Sequence, residues 1–247
     1  LPRSVAAQAA GLKRGDLDAI DLLQGAHLIR TRETVDGLSL EPYHDRIREG
    51  IVDELSPSAA RDRHLRLAVT LEGSRYADSE ALAEHFAGAG HLEKAGDHAV
   101  DAAEQAGAAL AFDRSAMLYR FAMRLLPPEQ VRSRGIRPAL AEALAKAGRA
   151  REAAEVFAES VQETAGTERL QNQLRSAEEY LRSGRVEEGL GALADVLAQL
   201  RMPLPTSSRG ALASLLVRRA RLKIRGLGWK AEDPGSLAPL DAARIDA

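Results

Sequence analysis

The 247-residue chain has no cysteine, which excludes a disulfide framework, a thiolate metal site and a cysteine nucleophile. Aromatics make up only 4% of it. Val, Ile, Tyr, Phe and Trp, the residues that favour strands, are sparse, which argues against a sandwich, a barrel or a large parallel sheet. Neither sign of charge dominates, with 34 basic against 36 acidic residues, so no overall field recruits nucleic acid or membrane. No apolar run approaches the ~18 residues needed to span a bilayer, and no signal-peptide core opens the chain. A cytoplasmic location is therefore expected. What is abundant is Ala (46) and Leu (35), two strong helix formers. The chain opens at Leu1 without a methionine and stops at Asp246-Ala247 inside a helical-looking stretch, so it reads as a segment of a longer polypeptide.

Three regions are expected. In residues 1–56, a short Ala-rich helix (Ser4 to Leu12) precedes a Lys13-Arg14-Gly15 turn and a second helix capped by Asp16, with Leu17, Ile20 and Leu23 as its stripe. The period then changes. His27 to Arg32 and Leu38 to Leu40 alternate as strands do, around turn chemistry at Val35-Asp36-Gly37. Helix returns at His44, with Ile47, Ile51, Val52 and Leu55 on one face. This is the order of a winged helix whose first helix lies upstream. Residues 57–205 read as successive helices, and residues 206–247 as a basic helix and the start of further repeats.

The repeat is the most informative pattern. Leu144-x3-Gly148-Arg149-x3-Ala153-x3-Phe157-x2-Ser160 recurs as Tyr180-x3-Gly184-Arg185-x3-Gly189-x3-Leu193-x2-Val196, 36 residues on. A third copy, Ser115-x3-Tyr119-x2-Ala122, has lost its glycine, and a degenerate fourth is Gly90 with Ala95, Ala99 and Ala102. Glycine ends one helix in a left-handed cap. Small residues then let the next helix approach, and a large residue one turn later fills the groove. The pattern resembles the tetratricopeptide repeat. The expected fold is all-α with a small β-hairpin wing: a winged helix followed by a solenoid of antiparallel helix pairs. A generic α-bundle with accidental Gly-Arg turns is the alternative.

Catalytic signatures are missing. There is no phosphate-cradling G-x-x-x-x-G-K-[ST] loop, no H-E-x-x-H and no G-x-S-x-G. His85, His91 and His98 are spaced six and seven apart, which does not place three ligands on one helix face. Glu178-Glu179 and Glu187-Glu188 read as solvated helix faces. The segment is expected to be non-catalytic, with no metal and no cofactor of its own. DNA binding by residues 1–56 is disfavoured, because they carry seven basic and ten acidic side chains and the would-be recognition helix holds Asp16, Asp18 and Asp21.

Glu41-Pro42-Tyr43-His44-Asp45-Arg46-Ile47-Arg48-Glu49, at the start of the helix after the hairpin, resembles the Met-His-Asp motif of STAND-class signalling ATPases. That class includes nucleotide-binding leucine-rich-repeat receptors and bacterial maltose-regulator-like activators. The order of elements is similar to the part of large bacterial regulators downstream of the ATPase core, some of which also carry a Ser/Thr kinase domain. Tyr43 departs from the motif, which has Met there. The resemblance implies that His44 and Asp45 contact the phosphate of ADP held, with Mg, in an upstream nucleotide-binding domain of the same chain. It further implies that the winged helix is a hinge or lock, and that the repeats bind a protein or a small inducer. Alternatively, His44 and Asp45 merely cap the helix. A stand-alone repeat scaffold and a winged-helix transcriptional regulator are the competing functions.

Between Asp195 and Glu232 no residue is acidic, while eight are basic, among them Arg218, Arg219, Arg221, Lys223 and Arg225. A helix capped by Thr206, Ser207 or Ser208 is expected to run to about Arg225, with Leu212, Leu215, Leu216, Ala220 and Ile224 mostly on one side. It is either an anionic-surface contact or a basic helix pairing with acidic neighbours.

Overall fold

The computed structural model describes residues 1–12, 18–34, 37–202 and 207–225. The chain is mostly helical with one small antiparallel hairpin, and it divides into two units, Leu1–Ile136 and Arg137–Ala247. The expected Lys13-Arg14-Gly15 turn, the Asp16 cap, the Val35-Asp36 turn residues and everything beyond Arg225 lie outside the described residues.

The first unit opens with α1 (Arg3–Ala10) and α2 (Asp18–Gly25), then β1 (Ile29–Thr34), β2 (Gly37–Pro42) and α3 (Asp45–Asp53). Helix, helix, hairpin, helix is the order read from the sequence. The hairpin register pairs Ile29 with Pro42 and Thr34 with Gly37. One feature escaped the sequence reading. Leu1 and Pro2 lie along β2, with the Leu1 amine donating to the Leu40 carbonyl (3.1 Å) and the Leu40 amide donating back (2.7 Å).

Then come α4 (Pro57–Glu72), α5 (Ser79–Gly88), α6 (Leu92–Ala108), α7 (Phe112–Leu125) and the short α8 (Pro128–Ser133). Ser56 caps α4 by accepting from the Ala59 amide (3.2 Å), with Pro57 in the first turn, where its missing N–H costs nothing. Asp78 caps α5 in the same way. A core cluster joins Val5 of α1 to Ala68 and Leu71 of α4, Leu82 and Phe86 of α5, and Ala95 of α6. The first helix thus shares its apolar contacts with the helices after residue 56.

The second unit holds α9 (Ile136–Lys146), α10 (Ala150–Ser160), α11 (Gly166–Arg182), α12 (Val186–Gln199) and α13 (Ser208–Arg225). Here α10 packs on α11, and α11 on α12. Most of the expected small-then-large positions are buried, Ala153, Phe157 and Ser160 on α10 and Gly189 and Val196 on α12, while the large Leu193 is only half-buried. A Cβ at Gly189 would come within 2.6 Å of the Leu181 side chain, so only glycine permits that approach of α12 to α11. Ser160 and Ser176 are buried because their hydroxyls donate to the carbonyls of Phe157 (2.7 Å) and Ala154 (2.9 Å).

One turn geometry recurs. At Gly148 and Gly184, φ is +77° and +81°. The glycine amide donates three residues back, and the next amide five residues back, to Leu144 (2.9 Å) and Tyr180 (2.9 Å). This satisfies the last carbonyls of the preceding helix. The copy without a glycine makes the same turn on Leu110, at φ +61°, with Ala111 donating to Ala106 (2.8 Å). The Leu110, Gly148 and Gly184 turns keep the repeat period. Gly90 adopts the same geometry only 20 residues before Leu110, so it links one helix pair to the next.

Candidate functional site

His44 sits where the hairpin ends and α3 begins. Its backbone is extended (φ −139°, ψ 144°), and its side chain makes no capping bond. The Tyr43 amide donates to the Leu28 carbonyl (3.0 Å), which pins the strand end just before it. The Tyr43 ring stands edge-on to the imidazole at 5.0 Å and also meets the His27 ring at 5.4 Å, tilted by 55°. His27 holds a left-handed turn (φ +57°), and its Nδ1 lies 3.1 Å from the Gly25 carbonyl. His44 and Asp45 are both exposed. An imidazole held beside an uncapped helix N-terminus is a donor arrangement that suits a phosphate oxygen. Asp45 occupies the first turn, where the helix dipole favours a negative charge.

Beneath this corner, α1, α2, the hairpin and α3 enclose an apolar groove of about 440 Å³. Ile47, Ile51 and Val52 of α3 line it opposite Ala6, Ala7 and Ala10 of α1. The expected apolar face of α3 exists, yet α3 buries no residue; Ile51 remains 57% exposed.

The hairpin and α2 carry exposed charges of both signs. Asp18 and Asp21 are exposed on α2. Arg30 and Arg32 of the wing share Glu41, at 3.1 and 3.6 Å, and Glu33 on the same strand offsets the remaining positive charge, so the wing is locally neutralised.

The basic residues Arg218, Arg219, Arg221, Lys223 and Arg225 lie on α13, whose start is capped by Ser207 accepting from the Gly210 amide (3.1 Å). No residue of α13 is buried. As expected, Leu212, Leu215, Leu216, Ala220 and Ile224 fall within one half of the helix at 3.6 residues per turn. Leu215 and Ile224 bound that half, Arg218, Arg221 and Arg225 form a stripe on the other, and Arg219 and Lys223 lie among the apolar residues. Lys230 and Trp229 lie outside the described residues.

The sequence reading missed the partner of each Gly-Arg turn. Arg149 pairs with Glu152 (2.7 Å), and Arg185 pairs with Glu188 (2.6 Å). Arg185 also reaches Glu155 of α10 (3.3 Å), linking neighbouring helix pairs. The signal was present as Gly-Arg-x-x-Glu in both copies. Glu188 is thus paired, and a bond from its own backbone amide, with the Arg185 bond added, holds its carboxyl below the usual range. Glu179 is buried rather than solvated, with one oxygen on Arg182 (2.9 Å) and the other unpartnered.

Among the described residues, no group of three or more His, Asp or Glu is arranged to hold a metal, and no helix is long and apolar enough to cross a membrane. No family model matches the chain, and no curated protein or solved structure matches it significantly.

Proposed function

We propose that the chain is a non-catalytic regulatory segment of a STAND-type signalling ATPase. In this reading His44 is the intramolecular lock, and the helical repeats are the receiving surface for a protein or small inducer. The observation that carries it is the exposed, uncapped His44 at the head of α3, braced by Tyr43 and followed by helical repeats. A residue placed to cap its own helix would spend its ring on the local amides; this one does not.

The histidine donates an imidazole N–H to the β-phosphate of ADP in a neighbouring nucleotide-binding domain, and the α3 N-terminus adds its dipole. Bound ADP thereby holds the closed state. A ligand on the repeats opens the protein only through preferential affinity for the open state. The chain described here supplies the lock and the lever, and the nucleotide domain supplies the Mg–ATP chemistry. The acidic α2 and the neutralised wing support this over DNA binding. Location in the cytoplasm belongs to the same proposal.

The test uses the intact polypeptide that carries the nucleotide domain. His44→Ala should speed ADP release and raise basal signalling, with the fold unchanged by circular dichroism. Unchanged ADP retention refutes the lock and favours a passive repeat scaffold.

A further inference from the structure

Two histidines far apart in sequence meet where α4 packs on α5. The Nδ1 atoms of His64 and His85 are 3.1 Å apart, and their ring centroids are 5.2 Å apart at a 52° tilt. Both side chains are half-buried. The contact depends on Gly88: a Cβ there would lie 2.6 Å from the His64 ring. The bare Cα lets the imidazole lie against α5.

An Nδ1–H···Nδ1 bond needs one ring to donate and the other to accept. It forms with both rings neutral, or with one protonated. With both protonated there is no acceptor, and two positive charges face each other at hydrogen-bond distance. We propose that the His64–His85 pair makes the α4–α5 packing a proton-labile joint, closed while at least one ring is neutral and loosened when both carry a proton.

The surroundings support this. Burial pushes His85 below the ordinary imidazole range and His64 adds to the effect, while Glu84 next to it opposes. On α4, Arg61 lies one turn before His64 and adds positive charge. The helix α1 packs along the Leu65–Arg66–Val69 side of α4 and carries only Arg3 as a charge. On α6, Lys94 donates to Glu72 of α4 (2.7 Å) and lies over the Phe86 ring (4.2 Å). His98 stacks on Phe86 at 5.5 Å, and its Nε2 is 3.6 Å from Glu72. Protonation of His98 therefore strengthens the α4–α6 link while the α4–α5 link weakens. The α4–α5 contact lies beside the cluster in which Val5 of α1 is buried.

The sign follows from linkage. A histidine depressed in the folded state contributes stability that is complete above the unfolded value near 6.5 and is lost as pH falls through the folded value. Each unit of depression lowers the folded-to-unfolded ratio about tenfold across that window. The experiment is urea unfolding of the whole chain between pH 7.5 and 5.0, with an NMR titration of the imidazoles. In the wild type the ratio should fall with pH, and one of His64 and His85 should protonate only after the other. His85→Asn, which keeps an amide where Nδ1 lies, should flatten the profile, and His27→Asn in the wing should not. Identical profiles for wild type and His85→Asn overturn the proposal. So does independent titration of both rings at ordinary values, a result the wild type gives even if the variant fails to fold.

Discussion

Exchanging the residue at two equivalent turns isolates what the backbone demands there. Leu110 and Gly148 perform the same task, both at positive φ (+61° and +77°), but one carries a side chain and the other does not. A left-handed residue with a Cβ costs roughly 1–2 kcal/mol. Glycine avoids that cost but loses roughly 0.5–1 kcal/mol more chain entropy on folding. Little burial is at stake at Leu110, which is 73% exposed, and a Cβ at Gly148 would meet nothing within 4 Å. Leu110→Gly should therefore stabilise by about 0.5–1 kcal/mol, and Gly148→Ala should destabilise by about the same. In thermal unfolding these correspond to roughly 1–4 °C in opposite directions. Urea midpoints at one pH would report both. A Leu110→Gly protein less stable than the wild type would refute the argument and assign Leu110 a contact worth more than its strain.

Other substitutions probe packing and polar burial. Phe157→Ala, at a side chain only 2% exposed between α10 and its neighbours, should cost about 3–5 kcal/mol by urea unfolding. Glu179→Met should be neutral or stabilising by about 1 kcal/mol, because it removes a buried carboxylate with one unsatisfied oxygen and leaves an Arg182 that water already reaches. Loss of more than about 2 kcal/mol would mean that carboxylate has a structural partner. Ser56→Ala should cost about 1 kcal/mol through the lost α4 cap, read from the thermal midpoint.

The repeat was legible because helical packing writes itself at fixed spacing. Ala153, Phe157 and Ser160 were placed from sequence, and all are buried. The start of α4 was equally plain, since Ser56-Pro57 uses short-range capping chemistry. The turn at Leu110 was hidden because its marker, glycine, is replaced by a residue that tolerates the geometry only under constraint. The His64–His85 contact joins residues 21 apart on different helices, and nothing local announces it. The pairing of Leu1 with Leu40 is likewise long-range. At the candidate lock, the motif located His44, but only the coordinates gave its exposure and the brace by Tyr43. The apolar side of α13 was legible for the same reason as the repeat, since a period of 3.6 residues gathers Leu212, Leu215, Leu216, Ala220 and Ile224 in one half of the helix.

The burial of Val5 among Ala68, Leu71, Leu82 and Phe86 bears on how the protein can be divided. Severing the chain at Ser56 would bare an oily patch on both halves. Excising the amino-terminal segment to study the helical array alone would thus leave an adhesive surface, prone to self-association that the uncut molecule does not show. Likewise, any pull exerted on α1 passes directly into α4 and α5 without a slack tether between.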